Sequence, residues 1–171
     1  MDAKSLVIVG VDVATVGSDQ GRMAPMLAQV TERCKRAPDA WRVDGGFVGH
    51  EQIDQASETT VVYGPAPEPK DKAVDPHPAK ATDSAAVAAW RRRMGTDEAK
   101  EIYKKRAATA ECVNAQSRNR GWQQFRVRGL AKVKCVMLIF ALAHNLMRMA
   151  ALTPDLLGIG TGTSAIPGMG A

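Results

Sequence analysis

Eight residues near the N-terminus, Leu6 to Val13 (LVIVGVDV), form an almost unbroken β-branched run. Such a run suits a strand covered on both faces, which requires helices packed on either side of a sheet. The next segments extend that constraint. Asp19 to Arg36 places Met23, Met26, Leu27, Val30 and Cys34 on one stripe of a helix, with Pro25 in its first turn, where a missing N–H is tolerated. Trp41 to Asp44 reads as a short strand stopped by Gly45 and Gly46, Gly49 to Ser57 as a short helix, and Thr59 to Tyr63 as another strand. Strand, helix, strand, helix, strand within 63 residues argues an α/β fold with a parallel or mixed sheet and helical crossovers.

Residues 64–84 break the pattern. GPAPEPKDKAVDPHPAKATDS carries five prolines and scattered charge but almost no large apolar side chains, so it is expected to be an extended or disordered loop. Asp83 or Ser84 can cap a helix reaching about Met94. Thr96 can cap a second, with Asp97 and Glu98 favourably placed in its first turn, and this one runs to about Arg120 and stops at Gly121. Leu130 to Leu152 is a strongly apolar helix. Its unbroken apolar run, Val136 to Ala143, falls short of the ~20 residues of a membrane span, so it is expected to be buried in protein. Met137, Met147 and Met149 are expected to fill the core. The domain is expected to cover 1–152, with 153–171 a Gly-rich, disordered tail.

Charge is unevenly placed. The net charge is only +5, yet residues 91–134 hold 13 of the 23 basic residues and 4 of the 18 acidic ones. That points to a polyanionic partner, nucleic acid being the commonest, with a solvated helix face as the alternative. Three cysteines in no zinc-ligand spacing, and no cleavage site after the N-terminal apolar run, lead us to expect free thiols in a reducing cytoplasm.

Two carboxylates draw attention. Asp44 ends a predicted strand and precedes two glycines, a position that opens into the ligand crevice of an α/β sheet, though Asp-Gly also simply makes turns. Glu111 lies mid-helix among small alanines, which let another element approach, though an ordinary surface glutamate pairing with Arg118 fits the same pattern. Taken together, a strand-end Asp and a helical Glu suit divalent metals and an in-line attack on a phosphodiester.

The segments around both acids resemble a known family. VDGGFVGHEQI is similar to the second-aspartate segment of bacterial insertion-sequence transposases of the DDE, ribonuclease-H-like kind, and IYKKRAATAECVNAQSRNRGWQQFRVRGLAKVK to their glutamate-bearing helix and the stretch C-terminal to it. RGL and LAHNLMR are similar to their closing segments, so the likeness runs from near residue 5 to about residue 152. It implies that Asp44 and Glu111 are the second and third catalytic, metal-holding carboxylates for Mg²⁺ or Mn²⁺. It implies that Arg106, Arg118, Arg120, Arg126 and Arg128 face DNA, with Tyr103 and Asn114 near the site. The partners implied are insertion-sequence ends, target DNA and an intact transposase copy, with no membrane.

The family's first carboxylate lies on the first strand of a three-strand meander. Only 32 positions separate Asp12 from Asp44, less than three strands of about 5–6 residues, their turns and a helix of ~11 require. Leu6 to Val13 therefore fits the third strand, Asp12 is structural, Asp2 precedes that strand and matches no metal position, and the first two strands are expected to be missing. The expectation is a partial ribonuclease-H-like domain from a truncated transposase, with little activity alone. The rivals are a non-catalytic DNA-binding remnant, which could inhibit an intact copy, and an unrelated α/β phosphohydrolase.

Overall fold

The computed structural model describes residues 1–119, 121 and 123–154. Arg120, Trp122 and the expected tail beyond Pro154 lie outside them. The ordered elements are α1 (Met23–Cys34), β1 (Ala40–Arg42), α2 (His50–Ser57), β2 (Val61–Tyr63), α3 (Ala85–Met94), α4 (Asp97–Asn119) and α5 (Leu130–Leu152). β1 and β2 pair in parallel, Trp41 opposite Val62, and α2 is the crossover between them. The α/β class and the alternation after residue 19 are as the sequence implies, but among the described residues the sheet has two short strands.

Among the described residues Leu6 to Val13 joins no sheet, a correction to the expected third strand. Leu6 has φ +60°, a left-handed conformation that a leucine rarely takes and that a ladder cannot pass through. Side chains satisfy the backbone of this segment instead. Asn145 accepts from Ile8 N at 2.8 Å and donates to Ile8 O at 2.9 Å, His144 Nε2 donates to Leu6 O at 2.8 Å, and Arg148 Nε donates to Ser5 O at 2.9 Å. From the other side, Gln29 Oε1 accepts from Val11 N at 2.9 Å. The segment thus lies antiparallel along α5, held by polar tips where strands would otherwise supply N–H and C=O groups.

α5 has the expected bounds but not the expected burial. Ile139, Leu142, Leu146, Met147 and Met149 are exposed. Periodicity and composition imply a core helix, but among the described residues only one flank has neighbours. By length and composition it could cross a membrane.

The core lies between the other helices and the strands. Trp90 is fully buried with Met23, Ile53, Val62 and Val87, and its indole N–H donates to Gly64 O at 3.1 Å. A Cβ at Gly64 would stand 2.6 Å from Val48 Cγ2 and 3.0 Å from Val43 Cγ2, so only glycine lets β2 leave the sheet so close to β1. Ser84 caps α3 by accepting from Val87 N, Thr96 Oγ1 accepts from Ala99 N at the start of α4, and Gly121 comes after α4 at φ +80°. The Pro-rich loop is irregular, as expected, yet it is anchored. Arg91, 3% exposed, pairs with Asp83 at 2.8 Å, donates to Pro76 O at 2.9 Å and donates to His50 Nε2 at 3.2 Å.

Both anchors can be tested. Trp90→Ala should destabilise the protein by roughly 3–5 kcal/mol, the range for emptying a large aromatic from a core, measured by urea unfolding. The Lys80 backbone N–H, and after it the Arg91 guanidinium, hold the Asp83 carboxyl below the usual range. Its contribution is therefore complete above the unfolded value of about 3.9 and is lost as pH falls through the lower folded value. The Tm difference between wild type and Asp83→Asn should be constant from pH 7 to about 5 and shrink only below the ordinary aspartate range; a difference that vanishes by pH 5 would count against the anchor.

Candidate functional site

Asp44 lies just after β1 in extended conformation and caps the single 3-10 turn Gly45–Phe47. Its Oδ1 accepts from Gly45 N at 2.9 Å. The glycines permit close packing here, since a Cβ at Gly45 would lie 3.2 Å from Pro65 Cγ and one at Gly46 3.1 Å from Asp19 Oδ2. The other carboxylate oxygen of Asp44 faces Arg106 of α4 across 3.6 Å, with the Asp side chain 60% exposed and the Arg side chain 29% exposed. Arg106 in turn lies over the ring of Tyr103, 5.6 Å from its centroid, and Tyr103 packs on the core. Arg42 Nη1 reaches Ile102 O at 3.5 Å, a second tie between β1 and α4.

The fold thus joins Asp44 to Arg106, two of the residues singled out from the sequence. Glu111 lies on the same helix five positions beyond Arg106, roughly 140° around it and about 7.5 Å along it. It is exposed, and among the described residues it makes no contact with Asp44. Arg118 is two turns further along the face of Glu111, also exposed, and Arg126 and Arg128 are exposed in the connection to α5. Arg120 lies outside the described residues. Asp12 pairs with Lys134 at 3.1 Å and Asp2 caps the turn to Ser5, both in structural roles. His50 and His77 are taken up by Arg91 and Asp75.

The residues present do not fit a divalent metal in this arrangement. Among the described residues no three His, Cys, Asp or Glu side chains converge, and Asp44 already has a cation beside it. The nearby cleft of about 380 Å³, walled by Pro65, Ala66, Pro76 and Met94, has Lys100, Tyr103 and Lys104 on its α4 side. Glu68 and His77 also line it, and its two lysines are paired with Asp97 and Glu101 of α4. What sequence reasoning missed is the pairing of Asp44 with Arg106. Each residue was visible, but nothing local signals a contact across 62 positions.

Residues 71–150 match the family model described as Transposase DDE domain. The stretch takes in part of the loop, α3, α4 with Glu111 and Arg118, and most of α5; it does not reach Asp44. No curated protein and no solved structure matches the chain. The transposase resemblance read from the sequence therefore holds over that stretch, consistent with the C-terminal portion of a DDE-type transposase.

Substitutions at Asp44 separate capping from charge. Asp44→Ala should cost about 1 kcal/mol through loss of the cap. Asp44→Asn keeps the acceptor and gives up only a half-exposed ion pair, so it should stay within about 0.5 kcal/mol of wild type by urea unfolding. Equal losses in both would show that the pair with Arg106, not the cap, is what stabilises this corner.

Proposed function

We propose that the chain is the C-terminal portion of a DDE-type transposase catalytic domain that binds DNA through its basic segment 91–134 and has little strand-cleaving activity by itself. The match of residues 71–150 to the transposase DDE domain carries this reading. The concentration of positive charge on and beyond α4 supports the choice of DNA as partner, since Lys and Arg that neutralise phosphates release counterions and give sequence-independent affinity. In this reading Arg106, Arg118, Arg120, Arg126 and Arg128 face the phosphates, and Glu111 is the third carboxylate of the family's set. Asp44 is the second, and the first is supplied from outside these residues. Strand cleavage and transfer at insertion-sequence ends would require that further carboxylate and the release of Asp44 from Arg106.

A second reading is favoured by one observation. Asp44 is paired with a cation and remote from Glu111, as suits a non-catalytic DNA-binding remnant that competes with an intact copy. Both readings predict the same binding and differ in what an added intact transposase would do.

Fluorescence anisotropy with labelled duplex DNA tests the shared part. The logarithm of the binding constant should fall linearly with the logarithm of salt concentration. The slope should lose roughly 0.9 for each phosphate contact removed in an Arg118→Ala, Arg126→Ala, Arg128→Ala variant. Binding should persist in Asp44→Asn. Salt-independent binding would sink the DNA reading, and Mg²⁺-dependent cleavage by the 171-residue chain, abolished by Glu111→Gln, would overturn the proposed lack of activity.

A further inference from the structure

Among the described residues, α5 has one flank occupied and one bare. The occupied flank is polar at its tips: His144, Asn145 and Arg148 bind the backbone of the N-terminal segment, and Lys134 pairs with Asp12. About a third of a turn away, Cys135, Ile139, Leu142, Leu146 and Met149 recur at spacings of four, three, four and three, with Leu138 beside them. All six are exposed, Ile139 and Leu142 at 61%. A 4-3-4-3 apolar stripe is the seam along which two helices pack at a shallow angle. The helix is about 34 Å long, and side chains exposed to this degree offer on the order of 700 Å² from each copy. That is within the range of specific interfaces, about 1,200–2,000 Å² in total.

Charge selects the direction. α5 has Lys132 and Lys134 near its N-terminus and no acid anywhere. The N-terminal end already bears the positive end of the helix dipole, so these lysines are unfavourably placed. A parallel partner would bring two Lys132 side chains and two like dipole ends together, Lys134 being paired with Asp12. An antiparallel partner brings its C-terminal carbonyl end against them, and the stripe is close to symmetric about Leu142.

We infer that α5 is a self-association surface, on which two copies of this chain pair antiparallel through the Cys135–Met149 stripe with Leu142 at the two-fold axis. The bilayer, the other occupant that such a helix suits by length and composition, fits less well. His144, Asn145 and Arg148 on the other flank are bound to polypeptide backbone and Lys134 to the Asp12 carboxylate, and these polar groups would have to enter the lipid with the helix.

The test uses the full 171-residue chain. Sedimentation equilibrium in detergent-free buffer should show a dimer that dissociates on dilution, and Leu142→Glu should weaken it at least tenfold. Because Leu142 is exposed, that variant should keep the wild-type far-UV spectrum and Trp fluorescence. In a Cys34→Ser, Cys112→Ser background, a short bis-maleimide should not join Cys135 to its counterpart, which the antiparallel pair holds roughly 21 Å away along the axis. With Met149→Cys added it should join position 135 of one copy to position 149 of the other. A monomer up to about 100 μM, a dimer insensitive to Leu142→Glu, Cys135–Cys135 crosslinking, or co-flotation with neutral lipid vesicles in place of dimerisation would each overturn the proposal.

Discussion

The Arg91 guanidinium is the point from which the rest of the fold is placed. A buried cation is costly unless it is paired, and here three groups surround it: the Asp83 carboxylate as an ion pair, and the Pro76 carbonyl and the His50 ring nitrogen as hydrogen-bond acceptors. The consequence reaches beyond the ion pair. Beyond Ala66, which is buried in the core, residues 64–84 have little apolar surface, yet both ends of that stretch are fixed, Gly64 by the indole of Trp90 and Asp83 by Arg91. Adjacent residues on α3 thus close the loop with a hydrophobic side chain and a charged one. With the loop closed, α3 sits on α2 and β2, α4 starts at a fixed place after Gly95, and the first turns of α4 come to lie beside the end of β1. The contact of Asp44 with Arg106 depends on that chain of placements.

What the sequence disclosed divides along a physical line. Features set by neighbours in the chain were legible: the Ser84 and Thr96 caps, the stop at Gly121, the bounds of α5, the two short strands and the crossover helix between them. Each depends on a few residues and on the period of the apolar pattern. Features set by partners far along the chain were not. Leu6 to Val13 has a strand's composition, but a strand exists only when another lies beside it. Here Asn145, His144 and Gln29 take the backbone groups that a neighbouring strand would take. α5 failed in the same way. Its apolar residues describe what it could bury, and only the fold decides what it does bury.

The candidate site shows the same division within a single helix. Five positions between Arg106 and Glu111 suffice to say that the two side chains point to different sides of α4. They do not say which side meets Asp44. That is decided by Ala99 and Tyr103, which pack against the core, and by the guanidinium of Arg42 reaching Ile102 O. These contacts fix the helix about its axis and turn Arg106, not Glu111, toward the strand end. The acid legible as a candidate from its alanine surroundings is therefore the one that stands in solvent.

The two ties of this arrangement differ in strength, and the difference bears on function. An ion pair at 3.6 Å with the carboxylate largely in water contributes no more than about 1 kcal/mol, and salt or a competing anion weakens it further. On the proposed reading a DNA phosphate would be such an anion, and by engaging Arg106 it would free Asp44 at little cost. The orientation of Glu111 is another matter. Turning α4 to bring it round would strip Ala99 and Tyr103 from the core, a loss set by buried apolar area and not screened by salt. If the proposed reading holds, DNA binding would release one carboxylate of the pair without moving the other, because only the first is held by an interaction that salt and anions screen.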